Sequence, residues 1–198
     1  MSAQPPCVLG IAPHSGWAAV VIVGGTAAAP RVLLRERVEL ADARLPGSKQ
    51  PYHDIEGLAL PAARARLARF EESANRLALG ALRTLTAAVR DIGAEARAAG
   101  ILASSGRVGA TLEATLGSHA LIHTADGNHF RDALAHGCEA LELAVTRVTH
   151  KALPARAAVT LRKSPAALAA TLARLGSALG APWGADQKSA ALLAWLLL

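Results

Sequence analysis

Val8-Leu9-Gly10-Ile11-Ala12-Pro13-His14-Ser15-Gly16-Trp17 begins as an apolar run and breaks at a Pro-His-Ser-Gly turn signal. Directly after it, Trp17 to Val23 is apolar and rich in β-branched residues, and it stops at Gly24-Gly25. Short apolar runs bounded by turn formers read as strands. Arg31 to Leu40 alternates imperfectly, with Val32, Leu34, Val38 and Leu40 opposing Arg31, Arg35, Arg37 and Glu39. Three such strands joined by short turns predict an antiparallel meander.

Residues 41–60 are polar and rich in turn formers, which predicts a long loop that acts either as a lid or as a plain connector. The only tyrosine, Tyr52, lies there beside His53. Pro61 then opens a long helix to about Val89, since proline suits a first helical position. Its apolar stripe is Leu67, Phe70, Ala74, Leu77, Ala81, Leu85 and Val89. Arg69, Arg76, Arg83 and Arg90 recur along a second face, which Glu72 makes a solvated face more than a phosphate-tracking ridge.

Beyond Gly93 short strands and helices alternate. Strands are expected at Gly100–Ser104, Ala120–Thr124 and Val145–Thr149, and helices at Val108–Leu116 and Asp126–Leu143. Such alternation implies parallel pairing through right-handed crossovers. The end of the chain, about 150–198, reads as helical, with Ser164 capping a helix that Pro165 begins. The whole, 1–198, reads as one α/β domain with a mixed sheet flanked by helices.

Composition narrows the classes further. The 198 residues are 52% hydrophobic and 18% charged, which excludes disorder. The longest apolar run, Ala190–Leu198, is about half the roughly 18–20 residues a spanning helix needs. No membrane association is expected, and Met1–Pro6 lacks the basic start of a signal peptide, so a cytoplasmic protein is expected. Cys7 and Cys138 read as buried reduced thiols. The net charge of +6 is localised. Residues 143–198 hold seven basic side chains (Arg147, Lys151, Arg156, Arg162, Lys163, Arg174 and Lys188) against Asp186 alone, while the preceding 142 residues balance 14 basic with 14 acidic groups. Such a field attracts nucleic acid or an acidic protein surface, with Arg147, Lys151, Arg156, Arg162, Lys163 and Lys188 as the candidate contacts.

Motifs for catalysis are sparse. No Gly-x-Ser-x-Gly elbow and no glycine-rich phosphate loop occurs, so serine hydrolysis and nucleotide-dependent chemistry are not signalled and no cofactor is expected. Thr124-Ala125-Asp126-Gly127-Asn128-His129 follows an expected strand, where open α/β sheets bind ligands. Asp126 there is either a helix cap or a ligand or base, with His123 and His129 nearby. His119, His123 and His129 lack structural-zinc spacing, and no metal is expected at them.

The opening run, Gly10-Ile11-Ala12-Pro13-His14-Ser15 above all, resembles the start of ribonuclease H-like proteins, in particular the Holliday-junction-resolvase branch. The order of Thr146–Leu161, the helix after Ser164, and Gly184-Ala185-Asp186-Gln187-Lys188-Ser189-Ala190 is similar to the end of those proteins. The resemblance implies a five-stranded mixed sheet, and carboxylates on the first strand, fourth strand and last helix that hold two Mg²⁺ ions for phosphodiester cleavage. Here Ala12 replaces the first acid, Ser104 and Ser105 occupy the second region, and only Asp186 remains. An added strand and helix over Ala120–Leu143 would also depart from that plan. Three functions follow as expectations: a non-catalytic module that binds nucleic acid or a partner protein; an enzyme with a site rebuilt from His14, Asp126, His129 and Asp186; or an oligomerising protein, a homodimer through the Ala- and Leu-rich last helix. In the second, the loop after strand one should carry His14 to Asp186.

Overall fold

The computed structural model describes residues 4–198. Strands β1 (Pro6–His14), β2 (Trp17–Gly25) and β3 (Pro30–Glu39) form the expected antiparallel meander. On its other side β1 pairs in parallel with β4 (Glu95–Ala103), and β4 in parallel with β5 (Ala144–Thr149), which gives the five-stranded order β3-β2-β1-β4-β5. The first hairpin turns through Ser15-Gly16, with His14 opposite Trp17 and Gly16 at φ +83°, a conformation that glycine adopts at little cost.

Both faces of the central strands are covered, which is why β1 and β2 read as continuous apolar runs. Cys7, Leu9 and Ile11 of β1, with Ala18, Val20 and Ile22 of β2, pack on α2 (Leu60–Asp91) and α4 (His119–Glu139). Val8, Ala12, Ala19, Val21 and Val23 face α5 (Leu153–Leu161), α6 (Pro165–Ser177) and α7 (Ala185–Leu196). The buried stripe of α2 passes through Ala78 and Leu82 in place of Leu77 and Ala81, and rejoins the expected positions at Leu85 and Val89.

Three expectations change. Ala120–Thr124 is not a strand: it lies in the first turns of α4, after the small helix α3 (Leu112–Leu116). No strand is therefore added to the sheet. Residues 41–60 are not wholly a loop, since Pro51–Asp54 forms a helical turn, α1, docked by Arg66 on Asp54 and by Asp126. The last helix, expected as a homodimer interface, instead packs Ala190 to Leu196 into this chain's own core against β1 and β2. Arg35 of β3 secures the approach to α7 by donating to the carbonyls of Gly180 (2.9 Å), Ala181 (3.1 Å) and Pro182 (2.6 Å). Among the described residues no helix is long and apolar enough to cross a membrane.

Candidate functional site

The close approach of α7 to β1 places Asp186, in the first turn of the helix, beside His14 at the carboxyl end of the strand. His14 Nε2 lies 3.0 Å from an Asp186 carboxylate oxygen. The imidazole is fixed from its face as well: it stacks on Trp17 with centroids 4.2 Å apart and planes 6° from parallel. The guanidinium of Arg37 covers the Trp17 ring at 3.8 Å, a cation–π contact. The order Arg37, Trp17, His14, Asp186 follows from the hairpin, since Trp17 faces His14 on one strand and Glu39, two residues from Arg37, on the next. A histidine held at one nitrogen by a carboxylate is oriented for proton transfer or for ligand contact through the other.

His14 opens on a polar cleft of about 350 Å³. Pro13 and Ser15 line it from the hairpin, Ser104 from the end of β4, and His123, Thr124, Gly127 and Arg131 from α4. Arg131 ties the helix to the sheet by donating to the carbonyls of Leu102 (2.9 Å) and Gly127 (2.6 Å). Burial, and then repulsion from Arg147, lower the pKa of its guanidinium. A Cβ at Gly127 would lie 2.8 Å from that guanidinium, the movable end of a flexible side chain.

The other two expected residues are elsewhere. Asp126 is buried, 3% exposed, within α4, so it does not cap that helix. Its Oδ1 accepts the backbone N–H of Tyr52 at 2.7 Å and its Oδ2 pairs with Nδ1 of His53. His129, one turn on, is buried beside Tyr52 and Phe130 with its Nε2 lacking any hydrogen-bond partner. It faces a second cleft, about 460 Å³, with Tyr52, Glu71 and Asp132. There burial, reinforced by the surrounding carboxylates, pushes the Tyr52 phenol up to about 12, and burial with Asp132 raises Glu71. The structure thus joins His14 with Asp186 and leaves Asp126 and His129 outside that site.

His53 is the residue whose partners sequence reasoning missed. Its ring packs edge-on against His123 (centroids 4.5 Å) and His119 (5.4 Å), and His119 and His123 are themselves 4.5 Å apart. The signal was the four-residue spacing of His119 and His123, which puts both on one helical face. The basic C-terminal residues divide. Arg147 pairs with Asp132 at 2.8 Å, and Lys163 lies 6.0 Å over the Trp195 ring. Lys151, Arg156, Arg162 and Lys188 are exposed and have no acidic partner among the described residues.

Solved structures with this architecture exist. Thermus thermophilus RuvC in complex with a Holliday junction substrate superposes with a TM-score of 0.53 over 96% of this chain and 90% of that one, at 13% identity. A second structure of Thermus thermophilus RuvC gives 0.52 over 96% and 92%, at 14% identity. The fold is ribonuclease H-like. No protein-family model and no curated protein matches the sequence. In this ribonuclease H-like chain, His14 and Asp186 sit where β1 and the last helix meet, at the carboxyl edge of the parallel strands, where open α/β sheets take ligands.

Proposed function

We propose that this chain is a ribonuclease H-like module that binds nucleic acid and does not cleave it by the two-metal carboxylate mechanism. The observation that carries the reading is the composition of the edge where β1, β4 and α7 meet. Its single carboxylate, Asp186, is engaged by His14; Ala12 is buried and apolar; the residue after β4 that lines the cleft is Ser104. Two Mg²⁺ ions need several carboxylates to offset their charge. Lys188, two residues from Asp186, adds a positive charge to the same end of the helix.

The exposed Lys151, Arg156, Arg162 and Lys188 supply the phosphate contacts. Lys151 follows the carboxyl end of β5, on the same side of the sheet as His14. Fluorescence anisotropy with a labelled four-way junction, a duplex and a single strand tests this between low and physiological salt. Four phosphate contacts give a log K against log salt slope of about −3.6 on duplex DNA. Replacing Lys151 or Arg156 by Glu should lower that slope by about 1 each across all sequences. The junction should remain intact with Mg²⁺. Absence of binding at low salt, or salt-independent binding, removes the proposal, and an acidic protein surface becomes the partner to seek.

A second reading is favoured by the His14–Asp186 pair itself, which is arranged for acid–base chemistry in the polar cleft. Hydrolysis of phosphodiester or ester reporters that disappears in His14→Ala supports it, and activity unaltered in that variant removes it.

A further inference from the structure

Three imidazoles converge beside the cleft that holds His14. His53 from α1 and His119 and His123 from the start of α4 each offer a ring nitrogen, and these three atoms lie within 4.8 Å of one another. The rings stand edge-on, with interplanar angles of 88°, 61° and 77°. His119 and His123 come within 3.0 Å at their Nε2 atoms.

From this geometry we infer that His53, His119 and His123 form a binding site for a divalent transition-metal ion of the zinc type. Imidazole suits zinc, and three histidines with an open fourth position form a known tetrahedral set. Zn–N bonds of about 2.05 Å at tetrahedral angles put ligand nitrogens about 3.3 Å apart, so the His119–His123 pair needs to open by only about 0.3 Å.

The second, independent observation is Asp126. This buried carboxylate holds Nδ1 of His53 with one oxygen and the Tyr52 backbone N–H with the other. Nδ1 is thereby the protonated nitrogen and Nε2 the one free to coordinate. A carboxylate behind a ligating histidine fixes its tautomer and ring plane in the same way. Asp126 also explains why α1 docks on α4, which brings a residue 66 positions before His119 into the site. The exposed His119 and His123 leave the fourth position to water or to an anionic oxygen, and His123 reaches the cleft that holds His14 and Ser104.

The test uses the full chain free of any histidine tag and stripped with chelator. Titration with Zn²⁺ against a chromophoric competitor should show one equivalent bound, and Co²⁺ should give the intense visible bands of a tetrahedral site. His119→Ala and His123→Ala, both at exposed positions, should abolish that equivalent and those bands while leaving the melting temperature of the metal-free chain in place. Asp126→Asn should weaken binding by about 10- to 100-fold. No saturable equivalent, or an equivalent with the same affinity in His123→Ala, overturns the site. The result is separable from the nucleic-acid reading, because neither variant touches the basic C-terminal residues and metal binding is read without nucleic acid.

Discussion

Among the glycines Gly10 has the closest approach, and Gly10→Ala measures it. A methyl group there would lie 1.8 Å from the carbonyl oxygen of Ala190, 2.7 Å from its carbon and 3.0 Å from the Ala194 nitrogen. All three atoms are backbone, so no rotamer change relieves the overlap. An ordinary contact of about 3.4 Å requires α7 to withdraw by about 1.6 Å from β1. Gaps of about 0.5–1 Å already forfeit a quarter to a half of the dispersion well. Seven consecutive residues of α7, Ala190 to Leu196, are buried and would feel the shift. Overpacking commonly costs about 1–3 kcal/mol where side chains can yield, and this case belongs at or above about 3 kcal/mol. For a chain of this size that is a fall in Tm of roughly 6–12 °C. Thermal and urea melts followed by circular dichroism provide the measurement. The same withdrawal separates Asp186 from His14, so the variant reports on the site as well as on the core. Ala190→Gly should not rescue it, because the clashing atom is a carbonyl oxygen. A Gly10→Ala protein that melts with the parent, or a double variant that recovers, would refute the reasoning.

Gly80 offers the opposite outcome: it lies exposed within α2 with nothing within 4 Å of an added Cβ, so Gly80→Ala should stabilise by about 0.5–1 kcal/mol in the same melts. His129 should shape the acid limb of stability. Burial holds its imidazole below the ordinary value, against the pull of Asp126 and Asp132. The unfolded chain therefore binds that proton more readily, and stability should be level above about pH 6.5 and fall below it by at most about 1.4 kcal/mol per pH unit. Urea midpoints between pH 5 and 7.5 should lose this slope in His129→Gln, and an unchanged slope counts against it. Burial, with smaller effects from Glu95 and Glu139, raises the Cys7 thiol to about 11 and the Cys138 thiol to about 12. Native protein should therefore titrate no thiols with a disulfide reagent at pH 8 and both in denaturant; reaction of either in the native state would show that its strand or helix opens.

The meander was legible because β1 and β2 carry their evidence locally: apolar runs, a two-residue turn and a glycine where φ must be positive. The approach of His14 to Asp186 was expected from the order of elements that the opening and closing runs suggested, and the structure brings the two within 3.0 Å. The segment Ala120–Thr124 was not legible. Leu121, Ile122 and Thr124 fit a five-residue strand as well as a helix, and Asp126-Gly127-Asn128 looks like the turn that would end it. What settles the matter lies far away in sequence. Arg131, anchored on the Leu102 carbonyl, fills the space beside Gly127, and Asp126 is satisfied by Tyr52, 74 residues earlier. Tertiary partners therefore make a helix from residues whose local pattern reads as strand and turn.

That single change of element also governs the chemistry. In a strand, His119 and His123 would stand about 13 Å apart along the chain axis, too far to share an ion. In a helix the same four-residue spacing is about 6 Å of rise on one face, within reach of common coordination. The histidines and their spacing are plain in the sequence, but their use depends on a helix that long-range contacts impose and on His53, which the same Asp126 delivers. The fold and the metal site thus share a cause: the buried carboxylate that holds α1 on α4 also turns one imidazole towards the other two.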